Sequence, residues 1–194
     1  MAFKNTATSY GLIAKIFHWA TALLILLSYT SVYYRRWFTE VKTSENWNVL
    51  QLHLSIGITI GVIVLLRIVW KMSNPTPKLE PGTRIEHMAA HTGHFALYIM
   101  MIVMVITGYF GTGANTEYFS LFDIPKFEDT ALFQSLVTGY FDMTFKEFEK
   151  PMDFIHKDVF GSWLVWILIL GHVLAALYHT YVKKDQTLYK MLGK

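Results

Sequence analysis

Cysteine is absent from the 194 residues, which removes disulfides, thiolate chemistry, iron–sulfur ligation and haem attached covalently through a CxxCH motif. Charge is scarce as well. Asp, Glu, Lys and Arg make up 16% of the chain against 53% hydrophobic residues, too little polar side chain to solvate a globule of this size. The same composition excludes disordered, collagen-like and nucleic-acid-binding classes.

What is present is a set of four long stretches without charge. The intervals Lys15 to Arg35, Glu45 to Arg67, Glu86 to Glu117 and Asp158 to Lys183 enclose 19, 21, 30 and 24 uncharged residues. Roughly 20 residues at 1.5 Å rise cross a hydrocarbon core. The pattern predicts an all-α integral membrane four-helix bundle, up-down-up-down, forming one domain over residues 1–194. Its helices are expected over about 10–34, 49–70, 87–111 and 154–182, with a long outer segment over about 112–153 between helices three and four. No small-residue cleavage site follows the first apolar stretch, so it reads as a retained helix rather than a signal peptide. Membrane lipid is therefore the first expected partner.

Four crossings put both termini on one side, which carries ten Lys and Arg against seven on the other. By the positive-inside rule the termini are cytoplasmic. Acidic residues divide three to eleven in the opposite sense. In the outer segment Leu132, Phe133, Leu136, Val137, Tyr140 and Phe141 recur at helical spacing, which predicts one short helix lying flat on the outer membrane surface.

Seven of the eight histidines fall inside the charge-free stretches, and the eighth, His156, lies just outside and begins the fourth helix. A polar ring in hydrocarbon needs a partner, so such residues are functional candidates. Depth sorts them. His18 and His172 belong to the cytoplasmic half, His53 and His156 to the outer half. A porphyrin iron takes two axial ligands from opposite faces, and two inter-helical pairs at two depths predict two haems stacked across the bilayer. Gly57 and Gly61 follow His53 at i+4 and i+8, which reads either as a helix face cleared for a flat ring or as a GxxxG packing seam. His87, His91 and His94 share one face at the entrance of helix three; they are candidates for a metal, for haem propionates or for a quinone carbonyl, with His94 the deepest. His172 and His179, seven residues apart, share a face of helix four about 10 Å apart.

Phe17-His18-Trp19, Leu52-His53 with Gly57, Ala90-His91-Thr92-Gly93-His94, Gly171-His172 through Ala175-Ala176-Leu177-Tyr178-His179, and Lys184-Asp185 with Thr187-Leu188 and Met191-Leu192 resemble the bacterial cytochrome b561 family. The resemblance implies two haems b in four helices, His18 with His172 for the inner haem and His53 with His156 for the outer. It implies a bacterial inner membrane and a ubiquinone pocket near the cytoplasmic haem at His94 and His179, with His91 a weaker candidate. It also implies oxidoreductase activity of the superoxide oxidase type, with ubiquinone as electron acceptor.

One spacing departs from the family. Its helix-four histidines are usually 14 apart, whereas His156 and His172 are 16 apart, which on an ideal helix leaves the rings about 160° apart. A π-bulge or a non-helical approach at His156 is the expected correction, with helix four locally irregular between Val159 and Trp166. With eleven outer acids against seven bases, attraction of superoxide at the outer face falls to a local cluster, Arg35 and Arg36 being the candidates. Two alternatives accompany this reading. One is a haem b membrane-anchor subunit passing electrons from a partner dehydrogenase or hydrogenase to quinone. The other, more remote, is a non-haem di-metal membrane oxygenase built on His87, His91 and His94.

Overall fold

The computed structural model describes residues 2–192; Lys194, one of the ten bases counted above, lies outside them. Four helices are long and apolar enough to cross a membrane. They are α1 (Leu12–Phe38), α2 (Ser44–Ser73), α3 (Arg84–Phe110) and a fourth helix, Phe145–Lys183. Each begins before the charge-free stretch that marked it, and at three of the four N-termini a polar cap sets the start. Thr43 accepts from the Asn46 amide, and Thr83 with Glu86 and Thr144 with Glu147 each form a reciprocal capping box.

The fourth helix changes winding along its length. It starts as α4 (Phe145–Asp153), continues as a π-wound stretch (Phe154–Leu164), becomes α5 (Val165–Tyr178) and ends in a second π-wound turn (His179–Lys183); a short α6 (Tyr189–Leu192) follows. Pro151 lies inside α4 and has no N–H to give the carbonyl four residues back, which interrupts the α ladder just before the first π stretch.

Between the helices the distribution of polarity is that of a membrane bundle. The buried apolar contacts are few: Ile56, Ile60 and Val64 of α2 meet Met100 and Met101 of α3 and Val165 of α5. Large apolar side chains such as Leu26, Leu65, Ile167 and Leu170 point outward, 58–64% exposed, where hydrocarbon replaces water as their solvent. Small and polar residues sit inside instead, Ser55, Thr21, Ser31 and Thr107 among them, as expected where packing and hydrogen bonds rather than the hydrophobic effect join helices.

Beyond the helix ends the two faces differ. At one end the N-terminal tail, the α2–α3 loop and the C-terminal tail interlock: Lys183 Nζ reaches Glu86 at 2.7 Å, Lys190 Nζ reaches Glu80 at 2.6 Å, and Trp19 Nε1–H donates to the Met191 carbonyl at 3.2 Å. At the other end residues 112–144 form a cap with its own core, Phe127, Phe133 and Val137 packed against Tyr109, Phe110, Phe145 and Phe148. The segment expected as a flat surface helix is a single π-wound turn, Phe133–Thr138. Its Phe133 and Val137 face the cap core, and Leu132, Leu136, Tyr140 and Phe141 face outward. The cap also holds an antiparallel hairpin, β1 (Thr116–Tyr118) and β2 (Phe122–Ile124), that the sequence does not announce. Side chains of α2 fix it: the Glu117 amide donates to Gln51 Oε1 at 2.8 Å and the Phe119 amide to Ser55 Oγ at 3.0 Å.

Of the two small residues on α2, Gly61 is the packing contact. A Cβ there would stand 2.8 Å from Val105 Cγ1 of α3, and a β-branched neighbour has little freedom to give way. Gly61→Val is expected to cost about 1–3 kcal/mol of overpacking, read as a lowered midpoint of thermal unfolding in detergent. An unchanged midpoint would show that the helices are not in close contact there.

Candidate functional site

Imidazoles from different helices meet at two levels of the bundle. Toward the cap, His53 of α2 and His156 of the π-wound stretch have ring centroids 6.3 Å apart. Toward the termini, His172 of α5 lies 6.0 Å from His18 of α1 and 5.6 Å from His94 of α3. Two imidazoles bound through Nε2 to opposite sides of one iron have centroids about 6 Å apart, from metal–nitrogen bonds of about 2 Å and roughly 1 Å from nitrogen to ring centre. Both levels meet that requirement.

At the cap end the hydrogen bonds also select the correct nitrogen. His156 Nδ1–H donates to the Met104 carbonyl at 3.0 Å, and His53 Nδ1 faces the Ser28 carbonyl at 3.3 Å and the Ser28 hydroxyl at 3.1 Å. A ring whose Nδ1 carries the proton presents Nε2 as the free donor, the orientation that metal-binding histidines generally take. Gly57, half-buried and one turn along α2 from His53, would place an added Cβ in open space, with no atom within 4 Å. The residues therefore fit a flat macrocycle carrying a metal held between two imidazoles.

The 16-residue interval is resolved by winding. A π turn closes at i→i+5, about 82° per residue, so π winding over the first half of the interval returns His156 to nearly the bearing of His172. The irregular stretch starts earlier than expected, at Phe154, and ends at Leu164. Two glycines admit it. A Cβ on Gly161 would lie 2.6 Å from the His156 carbonyl five residues back, and a Cβ on Gly108 of α3 would lie 2.8 Å from His156 Cε1. The Gly161 carbonyl accepts from Tyr29 of α1 at 2.9 Å, which satisfies a polar group in the distorted stretch.

The remaining sequence candidates separate. His87 Nε2 pairs with the Glu80 carbonyl at 3.0 Å, closing the α2–α3 loop, while His91 is exposed. Among the described residues no group of three or more His, Asp or Glu converges as a metal site would require. His94 turns to His172, whereas His179 Nδ1 binds Asp185 Oδ2 at 2.5 Å. Arg35 Nε donates to Asn46 Oδ1 at 3.1 Å and to its carbonyl at 3.2 Å, joining α1 to α2; Arg36 is exposed. Sequence reading gave Arg67 and Lys71 no site role. Arg67 Cζ and Lys71 Nζ lie 5.4 and 4.9 Å from the Tyr98 ring centroid. Two cations on the helix that faces a histidine cluster were the available signal.

Helices that span a membrane, with paired imidazoles between them, define a b-type membrane cytochrome. The chain belongs to the prokaryotic cytochrome b561 family, whose model matches residues 9–194. It is 30% identical to cytochrome b561 homolog 2 of Escherichia coli K12, covering 100% of this chain and 96% of the relative. It is 29% identical to the probable superoxide oxidase CybB of Yersinia pestis, covering 91% and 92%, and 26% identical to cytochrome b561 homolog 1 of E. coli K12, covering 91% and 93%. It is thus a bacterial membrane protein that binds haem b and transfers electrons.

The two glycines around His156 give a direct test of the winding. Gly161→Ala and Gly108→Ala are each expected to turn the imidazole away from His53 and weaken haem retention tenfold or more, on the order of 1.4 kcal/mol. Haem quantification in the purified variants checks this, and wild-type content in both would remove the role given to these glycines.

Proposed function

We propose that the chain carries two haems b, one held by His53 and His156 toward the cap and one by His18 and His172 toward the termini, and passes single electrons from an outer-face donor to ubiquinone. The observation that carries this reading is the pair of imidazole couples at about 6 Å, which suits axial ligation through Nε2. When bound, the haems supply reversible one-electron chemistry. The protein's own part is to fix the rings, set their spacing and exclude water. Helix geometry puts the two levels about 20 Å apart, stacked across one bilayer.

His94, beside His172, and His179, seven residues along the same helix, form the ubiquinone pocket in this reading. Arg67 and Lys71 would receive the carboxylates of the nearby haem, since among the described residues neither forms an ion pair. The termini face the cytoplasm of a bacterial inner membrane, in keeping with the basic excess on their side. Superoxide is the donor tested first, on the name of the Yersinia pestis relative and on Arg35 and Arg36 as the outer cations. A second reading, an anchor subunit for a partner dehydrogenase or hydrogenase, draws on the apolar outer surface of the cap, where Leu121 and Tyr140 are 75% and 78% exposed.

The absorption spectrum of purified protein is expected to report two b-type haems per chain. His18→Ala and His172→Ala should each lose one, and His53→Ala and His156→Ala the other, while His94→Ala keeps both. Two haems retained in His18→Ala, or one lost in His94→Ala, would reassign the ligand to His94. Superoxide-driven reduction of ubiquinone by the isolated chain supports the first reading; its absence, with a second redox subunit co-purifying, supports the anchor.

A further inference from the structure

The end of helix four is built to bring one carboxylate onto one imidazole. The second π-wound turn begins at His179 and stops at Lys184, which adopts the left-handed conformation at φ 55°. For a residue with a Cβ that conformation costs roughly 1–2 kcal/mol, and glycine or asparagine is the usual choice. The turn folds the chain back on itself: the amides of Lys184 and Asp185 both donate to the His179 carbonyl, the second at 3.1 Å. Asp185 Oδ2 then meets His179 Nδ1 at 2.5 Å, while Oδ1 accepts the Thr187 amide at 2.9 Å. Both carboxylate oxygens are engaged, and the side chain is 13% exposed. Burial acts to raise the Asp185 pKa, but the hydrogen bonds from His179 and Thr187 outweigh it and hold the carboxyl below its usual range. Lys183, two residues before Asp185, is committed to Glu86 at 2.7 Å. Among the described residues His179 Nε2 makes no hydrogen bond.

We propose that Asp185 is the positioning residue that holds His179 with Nε2 directed at the bound quinone, so that His179 delivers the protons the quinone takes up. The inference rests on the assignment of His179 to the quinone pocket. Two superoxide ions give one electron each and leave as dioxygen; the quinone takes two electrons and two protons and leaves as quinol. His179 starts as the imidazolium, gives the Nε2 proton to a quinone oxygen, keeps the Nδ1 proton on the Asp185 bond, and regains a proton at Nε2 from solvent for the second transfer. Asp185 remains a carboxylate throughout, fixing the tautomer and stabilising the charged ring, the part a buried aspartate plays beside a catalytic histidine elsewhere.

The test uses the haem-loaded protein with a short-chain ubiquinone as the probe. Asp185→Asn is expected to keep both haems, the melting midpoint and the quinone KM, and to lower kcat by about tenfold to a hundredfold, within the range of general acid catalysis. His179→Ala should lose at least as much, and the double variant no more than His179→Ala alone. If His179→Ala loses turnover while Asp185→Asn stays within twofold of wild type, the role of Asp185 is overturned and the quinone assignment stands. If His179→Ala itself turns over and binds quinone normally, the pocket lies elsewhere and the proposal falls with it. Nitrogen-15 spectra of the histidine-labelled wild-type protein decide the tautomer without any variant. Nδ1 of His179 should stay protonated while Nε2 exchanges its proton, and a bare Nδ1 would refute the arrangement.

Discussion

An imidazole placed among lipid tails has two ring nitrogens and no water to satisfy them. That constraint organises the bundle. Each buried ring at the cap end gives one nitrogen to a backbone carbonyl or hydroxyl of a neighbouring helix, Met104 for His156 and Ser28 for His53. The other nitrogen, Nε2, has no hydrogen-bond partner among the described residues. A second orientation would leave a polar atom facing hydrocarbon, so helix rotation, ring tautomer and pair distance are fixed together rather than separately. Small residues follow from the same demand. Where a ring must pass close to a helix, as His156 does at Gly108, the helix has no Cβ to offer.

The π-wound stretch of helix four is the visible cost of meeting this constraint with two histidines 16 rather than 14 positions apart. Regular α winding satisfies every backbone group but turns His156 away from His53. Eleven residues of wider winding turn it back, and they are tolerated because the freed groups find partners: Gly161 takes the Tyr29 hydroxyl and the Lys157 carbonyl accepts from Ser162. Tyr29 also packs on Trp166 at 4.6 Å between centroids, so one α1 side chain braces the end of the distortion. The irregularity is thus held by contacts with α1 and α3.

How much of this was legible depended on which force decides each feature. Stretches free of charge located all four helices, since a charge in hydrocarbon is expensive at any position. They did not locate the ends. Helix four starts at Phe145, well before Asp158, because outside the membrane its first turns are governed by the Thr144–Glu147 capping box and by packing of Phe145 and Phe148 into the cap. The histidine depths anticipated the approach of His18 to His172 and of His53 to His156, because rise per residue is nearly invariant, but not that of His94 to His172. Facing was harder, since it depends on winding, and winding on a glycine five residues from His156 and another on a different helix. The β1–β2 hairpin left no signal: its turn residues Phe119 and Ser120 take positive φ without a glycine or asparagine, and its anchors Gln51 and Ser55 sit in α2. Asp185 was seen only as part of a tail motif, because its meaning lies in a backbone reversal that brings it onto His179.

The two ends of the bundle are chemically opposed, and the opposition bears on how charge moves. Toward the cap the imidazole pair is enclosed by serine, threonine and backbone carbonyls, and the surrounding segment is rich in carboxylates. Toward the termini the histidines are accompanied by Arg67 and Lys71, stacked on Tyr98, and by the His179–Asp185 couple. An added electron is favoured near fixed cations, so this arrangement lowers the energy of a reduced centre at the termini end relative to the cap end. In the proposed reading, electron entry at the cap and exit beside the termini would follow that slope. A quinone reduced at the termini end, as proposed, would draw its protons where the carboxylate-held imidazole of His179 stands.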